Sequence, residues 1–158
     1  MSQRTKINYL ALFCLIITLF CGCNNSPKNK TSYAHEEKVI QAYLEELGAK
    51  KNLDSIDYIV IIPCSACLSC GNYALSKLPP LVSQKQKNCL FLVGNHIKLA
   101  QDFNFEHLSF FRDKNCLISD YKIILQSVNI FKITEGHIKD IFMCHAQGLK
   151  SIENYPFS

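Results

Sequence analysis

Three cysteines at three-residue spacing stand directly after an apolar run in this chain of 158 residues. They are Cys64, Cys67 and Cys70, and the stretch 59–70 reads IVIIPCSACLSC. Protein thiols exchange with disulfides, bind soft metals or iron–sulfur clusters, or pair permanently with other cysteines. The residue types therefore point to redox exchange, metal or cluster binding, or structural disulfides.

The elements around the cluster favour redox exchange. The run Asp57–Ile62 (DYIVII) predicts a strand buried on both faces. The segment 71–78 (GNYALSKL) predicts a short helix that ends at Pro79–Pro80. Backbone N–H groups and the dipole at a helix N-terminus lower the pKa of a cysteine placed there. We therefore expect a reactive thiol between the strand and the helix.

The CxxC pair Cys67–Cys70 is the candidate catalytic pair. Its two intervening residues let the sulfurs meet across one helical turn, so a disulfide opens and closes with little backbone motion. We expect Cys67 to be the exposed attacking thiol and Cys70 the buried resolving thiol. Cys64 is the candidate accessory thiol, placed in an exchange relay, bonded to a cysteine elsewhere, or simply packed.

The order of elements along the chain predicts an α/β sandwich with a mixed sheet, because helices alternate with apolar strands before a hairpin. The other predicted elements are a helix at 35–47, a strand at 89–93, a helical or irregular segment at 97–105, segments of ambiguous type at 107–113 and 121–125, an antiparallel hairpin at 130–144 that turns at Glu135–Gly136, and the start of a helix at 147–153.

Strand, CxxC, helix and later hairpin together resemble the thioredoxin-like superfamily, in particular its envelope-anchored thiol–disulfide oxidoreductases. The resemblance runs from Asp57 to Cys144 and aligns the family's CxxC with Cys67 and Cys70. It implies a thioredoxin-like three-layer sandwich with a mixed central sheet. It also implies disulfide exchange with envelope proteins as substrates, a partner that recycles the cysteine pair, and no bound organic cofactor.

Two positions differ from the family pattern. The family often has a buried acid on the strand six residues before the first cysteine, and this chain has Ile61 there. The family places a cis-proline just before the hairpin, and this chain reads Ser127-Val128-Asn129 there. A thioredoxin-like domain without efficient exchange is therefore an alternative within the same fold.

The N-terminus predicts export and lipid attachment. Basic residues precede an apolar run, Tyr9–Cys21, which is shorter than the roughly 20 residues of a membrane span. The sequence LFCGC at 19–23 resembles a bacterial lipobox, which implies a signal peptide at 1–22 and lipidation of Cys23. The alternative is an uncleaved N-terminal membrane anchor. Both place the following residues outside the cytoplasm, held at a membrane of the cell envelope.

The polar segment 23–32 (CNNSPKNKTS) predicts a flexible tether, and 33–158 is long enough for one domain with one core. The formal net charge of the whole chain is +4, and no basic block stands out. Nucleic acid is therefore not an expected partner.

Other uses of the three clustered cysteines stay open. They resemble the first three ligands of a bacterial ferredoxin run, although no fourth cysteine follows before Cys89. With Cys89, Cys116 or a histidine they would also complete a tetrahedral zinc or copper site. The third alternative is a non-catalytic binding or scaffold lipoprotein, in which they form structural disulfides with Cys89, Cys116 or Cys144.

Overall fold

The computed structural model describes residues 32–49, 53–98, 106–121, 123, 127–144 and 150–158. The predicted signal peptide, Cys23 and the tether up to residue 31 lie outside the described residues. Residues Tyr33–Ser158 form one compact unit. Its elements are α1 (Ala34–Glu46), β1 (Tyr58–Ile62), α2 (Leu68–Gln84), β2 (Cys89–Gly94), β3 (Leu108–Asp113), β4 (Val128–Thr134) and β5 (His137–Cys144), with 3₁₀ helices at Leu53–Ser55 and Leu117–Asp120.

The strands form one sheet in the order β3-β2-β1-β4-β5. β1, β2 and β3 run parallel, whereas β4 is antiparallel to β1 and β5 is antiparallel to β4. All five residues of β1 (YIVII) and all six of β2 (CLFLVG) are buried. Such continuous apolar runs suit strands that are covered on both faces.

The two helices pack on opposite faces of the sheet. α1 contributes Ile40, Tyr43 and Leu44 to a core cluster that includes Ile59 and Ile61 of β1. α2 packs against the alternate β1 side chains, in a second cluster whose helical members are Ala74, Leu75, Leu78 and Val82. The predicted three-layer α/β sandwich with a mixed central sheet is confirmed, and it is compatible with a thioredoxin-like fold.

The predicted end of the second helix is wrong, because α2 continues through Pro79–Pro80 to Gln84. It also begins earlier than predicted, at Leu68. A proline inside a helix removes a hydrogen bond and costs roughly 3 kcal/mol. Burial of Leu78 and Val82 against the sheet offsets this cost, since each buried aliphatic side chain contributes about 1.5–3 kcal/mol.

The segment 107–113, whose type the sequence left ambiguous, contains strand β3. It pairs with β2 in parallel, from Leu108 opposite Cys89 to Asp113 opposite Gly94. Its four middle residues are only partly buried, so β3 shows neither a continuous apolar run nor strict alternation. The other uncertain segments contain no helix or strand among their described residues, which are 97, 98, 121 and 123.

The predicted hairpin is confirmed, although its first arm begins two residues earlier, at Val128. β4 and β5 turn at Glu135–Gly136, where φ is 53° and 71°. Two successive positive φ angles are the requirement of a type I′ turn, which matches the twist of the flanking strands.

The segment 150–158 closes the α2 face of the sheet. Tyr155 and Phe157 are buried beside Tyr58, whose hydroxyl donates to the carbonyl oxygen of Ser158 at 3.0 Å. Of the helix start predicted at 147–153, residues 147–149 lie outside the described residues and 150–152 form a short 3₁₀ turn.

Candidate functional site

Cys67 caps the N-terminus of α2. Its backbone is extended, with φ −62° and ψ 141°, and its Sγ accepts a hydrogen bond from the backbone N–H of Cys70 at 3.1 Å. Sulfur thus takes the place of the side-chain oxygen that usually caps a helix. The first turn of this 17-residue helix directs its N–H groups and partial positive charge towards the sulfur. A thiolate at Cys67 would therefore be stabilised by the backbone.

Cys67 and Cys70 form a disulfide, with their Cα atoms 5.2 Å apart. Cys67 is exposed, whereas only 6% of Cys70 is accessible. An external thiol or disulfide therefore reaches Cys67 first. The roles of attacking and resolving thiol stay predictions, and this difference in accessibility favours the predicted assignment.

The two residues between these cysteines are both exposed. Leu68 is 53% accessible, which is unusual for a large apolar side chain in this domain. The Ser69 Oγ lies 3.4 Å from the Cys67 Sγ. Since a disulfide sulfur carries no proton, the serine hydroxyl is the donor in this contact. The accessible sulfur thus has an apolar neighbour and a hydroxyl neighbour.

Cys64 forms a second disulfide, with Cys116, a pairing that the sequence left open. The two cysteines are 52 residues apart in the chain, and their Cα atoms are 5.7 Å apart. Cys64 follows β1 and Cys116 follows β3. Carboxyl ends of parallel strands lie at one edge of a sheet, so both disulfides are at this edge.

Asp113 fixes the turn that carries Cys116. Its buried carboxylate accepts the backbone N–H of Leu117 at 2.9 Å and that of Ile118 at 3.1 Å. The Tyr43 hydroxyl of α1 donates to the same carboxylate at 3.0 Å. Burial and the negative charge of Asp113 raise the pKa of Tyr43, so the hydroxyl keeps its proton. These bonds hold Cys116 at a φ of 56°, which is uncommon for a residue other than glycine.

His96, in the loop after β2, holds the backbone just before Cys67. Its Nε2 lies 3.0 Å from the carbonyl oxygen of Ala66. A carbonyl oxygen only accepts, so this nitrogen carries the proton. Arg112 Nη1 donates to the carbonyl oxygens on either side of His96, at 2.9 and 3.1 Å. The position of the loop is therefore fixed from β3.

The same loop reaches the second disulfide through Asn95. Its Nδ2 donates to the carbonyl oxygen of Lys114 at 3.0 Å, and its Oδ1 lies 3.9 Å from the Cys64 Sγ. The neighbouring Gly94 makes this approach possible. A Cβ there would lie 2.8 Å from the Cys64 nitrogen and 2.9 Å from its Cα. The loop after β2 thus connects the segments that carry Cys67, Cys64 and Cys116.

Sequence reasoning missed these supporting residues. Asp113 lies at the carboxyl end of β3, and Asn95 and His96 directly follow β2. Polar residues after parallel strands are the signal that would have found them, but β3 was not assigned as a strand. Without it, neither the edge of the sheet nor the neighbours of Cys64 could be placed.

Cys89 and Cys144 remain thiols in the core. They are 3% and 2% exposed. Burial raises the pKa of both thiols, and the negative charge of Asp57 adds to the effect at Cys89. The structure pairs neither of them with the clustered cysteines, unlike Cys116.

The two positions at which the sequence departs from the thioredoxin-like pattern lie next to each other in this sheet. Ile61 of β1 pairs with Asn129 of β4, and both are 1% exposed. The Asn129 Nδ2 donates to the carbonyl oxygen of Ser127 at 2.6 Å, whereas its Oδ1 has no hydrogen-bond partner among the described residues. No cis peptide bond occurs in the described ranges. A buried amide, rather than a carboxylate, therefore lies beside the strand that precedes the cysteines.

Metal binding has little structural support in the part of the chain that is described. No group of three or more His, Cys, Asp or Glu side chains there is arranged to hold a metal ion. Of the alternative ligand set Cys64, Cys67 and Cys70, the first is bonded to Cys116 and the other two to each other.

Among the described residues, no helix combines the length and the apolar character that crossing a bilayer requires.

No protein-family model matches this chain, and neither a curated protein nor a solved structure is significantly similar to it. The function is therefore inferred from the residues and the geometry at the edge of the sheet where both disulfides lie.

Proposed function

We propose that this protein exchanges thiols and disulfides with other proteins through Cys67 and Cys70. The observation that carries the proposal is the disulfide between an exposed and a buried cysteine at the start of a 17-residue helix. The exposed sulfur accepts the Cys70 N–H and sits at the positive end of the helix dipole. Both effects lower the pKa of a thiol, which raises its thiolate fraction near neutral pH.

The exchange proceeds in two balanced steps. In the reduced protein, the Cys67 thiolate attacks one sulfur of a substrate disulfide. The substrate S–S bond breaks, a mixed disulfide with Cys67 forms, and the departing sulfur takes a proton. Cys70 then gives up its proton and attacks the Cys67 Sγ, which releases the second substrate thiol. The substrate gains two electrons and the Cys67–Cys70 pair loses two, and a redox partner in the envelope restores the pair.

The surroundings of Cys67 support protein substrates rather than small thiols alone. Leu68, the residue after the reactive cysteine, exposes more than half of its surface. An exposed apolar side chain at a reaction site gains free energy when a partner chain covers it. We therefore infer that the substrates present apolar residues next to their disulfide.

Envelope attachment belongs to the same proposal and is supported by the lipobox-like sequence at 19–23. A lipid on Cys23 would hold the domain at a membrane, because each buried CH₂ contributes about 0.8 kcal/mol. An oxidising compartment outside the cytoplasm also suits a chain whose domain contains two disulfides.

A second candidate function is non-catalytic binding on a scaffold stabilised by disulfides. The Cys64–Cys116 bond favours it, because closing a loop of this size, with a separation of 52 residues, stabilises a fold. The chain-entropy estimate for such a loop is about 4 kcal/mol. On this account Cys67–Cys70 is a permanent bond as well.

Covalent trapping distinguishes the two functions. The Cys70→Ser variant, expressed as the full chain, is expected to accumulate mixed disulfides between Cys67 and other envelope proteins, since resolution is blocked. The matched control is Cys67→Ser/Cys70→Ser, which lacks the attacking thiol. If Cys70→Ser traps no more protein than this control, and its Cys67 is a free thiol rather than bonded to another cysteine of the chain, disulfide exchange is not the function.

A redox titration of the wild-type chain in glutathione buffers gives an independent test. Differential alkylation followed by peptide mass spectrometry reports each cysteine. Reversible opening of Cys67–Cys70 at a potential above about −300 mV supports exchange. A bond that resists reduction at this potential supports the scaffold function.

A further inference from the structure

Cys64 precedes Cys67 by three residues, just as Cys67 precedes Cys70. Two residues separate each pair, so Cys67 is shared by two overlapping CxxC motifs. In the structure Cys67 is bonded to Cys70, and Cys64 is bonded to Cys116. We propose that Cys64–Cys116 is a second exchange site, which the Cys67–Cys70 pair reduces within the same molecule. This inference rests on the proposed function.

The chain between the two sulfurs is already folded back on itself. The Ala66 N–H donates to the carbonyl oxygen of Pro63 at 3.0 Å, which closes a turn around Cys64. His96 holds the end of this turn by its hydrogen bond to the carbonyl oxygen of Ala66. Cys67 follows, and α2 begins at Leu68. The tight turn and the helix N-terminus that follows it therefore fix the backbone that carries Cys64 and Cys67.

Accessibility distinguishes this disulfide from the two cysteines in the core. Cys64 and Cys116 are both partly exposed, whereas Cys89 and Cys144 are almost completely buried. A bond that exchanges with a neighbouring thiolate needs at least one reachable sulfur, and Cys64 provides it.

The loop after β2 offers a place for the reduced form of Cys64. Asn95 Oδ1 lies 3.9 Å from the Cys64 Sγ, within the range of a weak S–H···O hydrogen bond. While Cys64 is in a disulfide, its sulfur has no proton to donate. Lys114 holds the Asn95 amide through the Nδ2 group, so the oxygen faces the sulfur. Reduction therefore creates a donor directly opposite a fixed acceptor.

The exchange balances in two steps. The Cys67 thiolate attacks the Cys64 Sγ, the Cys64–Cys116 bond breaks, a Cys64–Cys67 disulfide forms, and the Cys116 thiolate takes a proton. Cys70 then loses its proton and attacks the Cys67 Sγ, which regenerates Cys67–Cys70 and leaves Cys64 as a thiol. Two electrons have moved from the first pair to the second, and the first pair is again able to accept electrons.

The first variant that tests this is Cys70→Ser in the full chain, because Cys67 then has no Cys70 to pair with and is available to attack Cys64. After alkylation and trypsin digestion without reductant, peptide 52–77 carries Cys64 and Cys67, and peptide 115–122 carries Cys116. Cys14, Cys21 and Cys23 precede Lys28, so they fall outside both peptides whether or not the signal peptide is removed. We expect an internal Cys64–Cys67 disulfide in the first peptide and an alkylated Cys116 in the second.

The matched control is Cys67→Ser/Cys70→Ser, in which Cys64 has no neighbouring nucleophile. Alkylation of Cys116 should be about tenfold greater in Cys70→Ser than in this control. If peptides 52–77 and 115–122 stay joined to the same extent in both variants, the relay does not exist. Glutathione disulfide added to the same samples separates the two proposals, because a Cys67–glutathione adduct with an intact Cys64–Cys116 bond overturns the relay alone.

A rate measurement covers the case in which the single variant folds poorly. Limiting dithiothreitol should reduce Cys64–Cys116 in the wild-type protein about tenfold faster than in Cys67→Ser/Cys70→Ser, since the relay supplies a neighbouring thiolate. Equal rates in the two proteins would contradict the relay.

Discussion

The Nε2 of His96 lies 3.0 Å from the carbonyl oxygen of Ala66, the residue that precedes the exposed Cys67. This hydrogen bond joins the loop after β2 to the start of α2. It fixes the backbone from which the reactive sulfur projects. We therefore regard His96 as a positioning residue.

Replacement of His96 by alanine should loosen this backbone. We expect the free energy of unfolding to fall by about 0.5–1.5 kcal/mol, the usual contribution of one hydrogen bond. We also expect alkylation of reduced Cys67 to slow several-fold at constant pH, because the sulfur is less well held at the helix N-terminus. His96→Gln keeps an N–H donor and should restore most of the rate. Equal rates in the alanine variant and the wild type would show that the contact does not position Cys67.

Asp113→Ala should destabilise the protein strongly. It removes the acceptor of three hydrogen bonds, so the Tyr43 hydroxyl and the backbone N–H groups of Leu117 and Ile118 lose their partner. Unsatisfied buried donors cost about 1–3 kcal/mol each, so we expect a loss of about 3 kcal/mol or more in chemical denaturation.

Tyr43→Phe is the matched control for Asp113→Ala. It removes one of the three donors together with its hydroxyl, and we expect a loss of only about 1 kcal/mol. A loss in Tyr43→Phe as large as that in Asp113→Ala would mean that the carboxylate does not hold the Cys116 turn.

Leu68→Ala should slow exchange with protein substrates and leave exchange with glutathione disulfide unchanged. Truncation removes most of an exposed apolar side chain that a protein partner would cover, and a small disulfide gains little from it. We expect kcat/KM for a protein disulfide to fall roughly tenfold, equivalent to about 1.4 kcal/mol. Leu68→Met keeps the apolar volume and should retain the rate. A parallel fall with both substrates would mean that Leu68 affects Cys67 itself.

Cys89 should make the protein less stable at alkaline pH. Burial holds its pKa above the unfolded-state value, so at high pH the unfolded chain loses a proton that the folded chain keeps. The stabilisation that comes from the buried, protonated Cys89 thiol is complete below about pH 8.5. Above this pH the free energy of unfolding falls by about 1.4 kcal/mol per pH unit.

Denaturation midpoints of the wild type and Cys89→Ala, compared between about pH 8 and pH 10, test this. The variant starts from lower stability because of its cavity, but its stability should decline less steeply. Identical slopes would show that Cys89 does not titrate differently in the folded and unfolded states.

The local sequence was sufficient to predict an element where its residue pattern favours one type of secondary structure. The runs at β1 and β2 are apolar throughout and rich in β-branched residues or bounded by turn signals, which favours strands covered on both faces. Glu135–Gly136 between alternating arms specified the hairpin because a type I′ turn needs positive φ at both positions. The CxxC pair follows the first strand as predicted, but the helix begins inside the motif, at Leu68.

Other features depend on residues distant in the chain. β3 is an edge strand whose partly buried residues carry no clear period, so its pairing with β2 decides its structure. The Cys64–Cys116 bond joins cysteines 52 residues apart, and spacing alone cannot select that partner from Cys89, Cys116 and Cys144. Pro79–Pro80 was a reasonable stop signal, but the burial of Leu78 and Val82 against the sheet outweighed it.

The two prolines inside α2 also have a mechanical consequence. Pro79 and Pro80 lack an N–H, so the carbonyl groups of Leu75 and Ser76 lose their partners one turn earlier in the helix. This gap lies nine residues after Cys70, a helical distance of roughly 13 Å. The hydrogen-bond ladder of α2 is therefore broken between the part that carries the cysteines and its last turn. Leu75 before the break and Val82 after it are both buried in the core cluster on this face of the sheet, so packing holds the two parts of the helix where hydrogen bonds are missing.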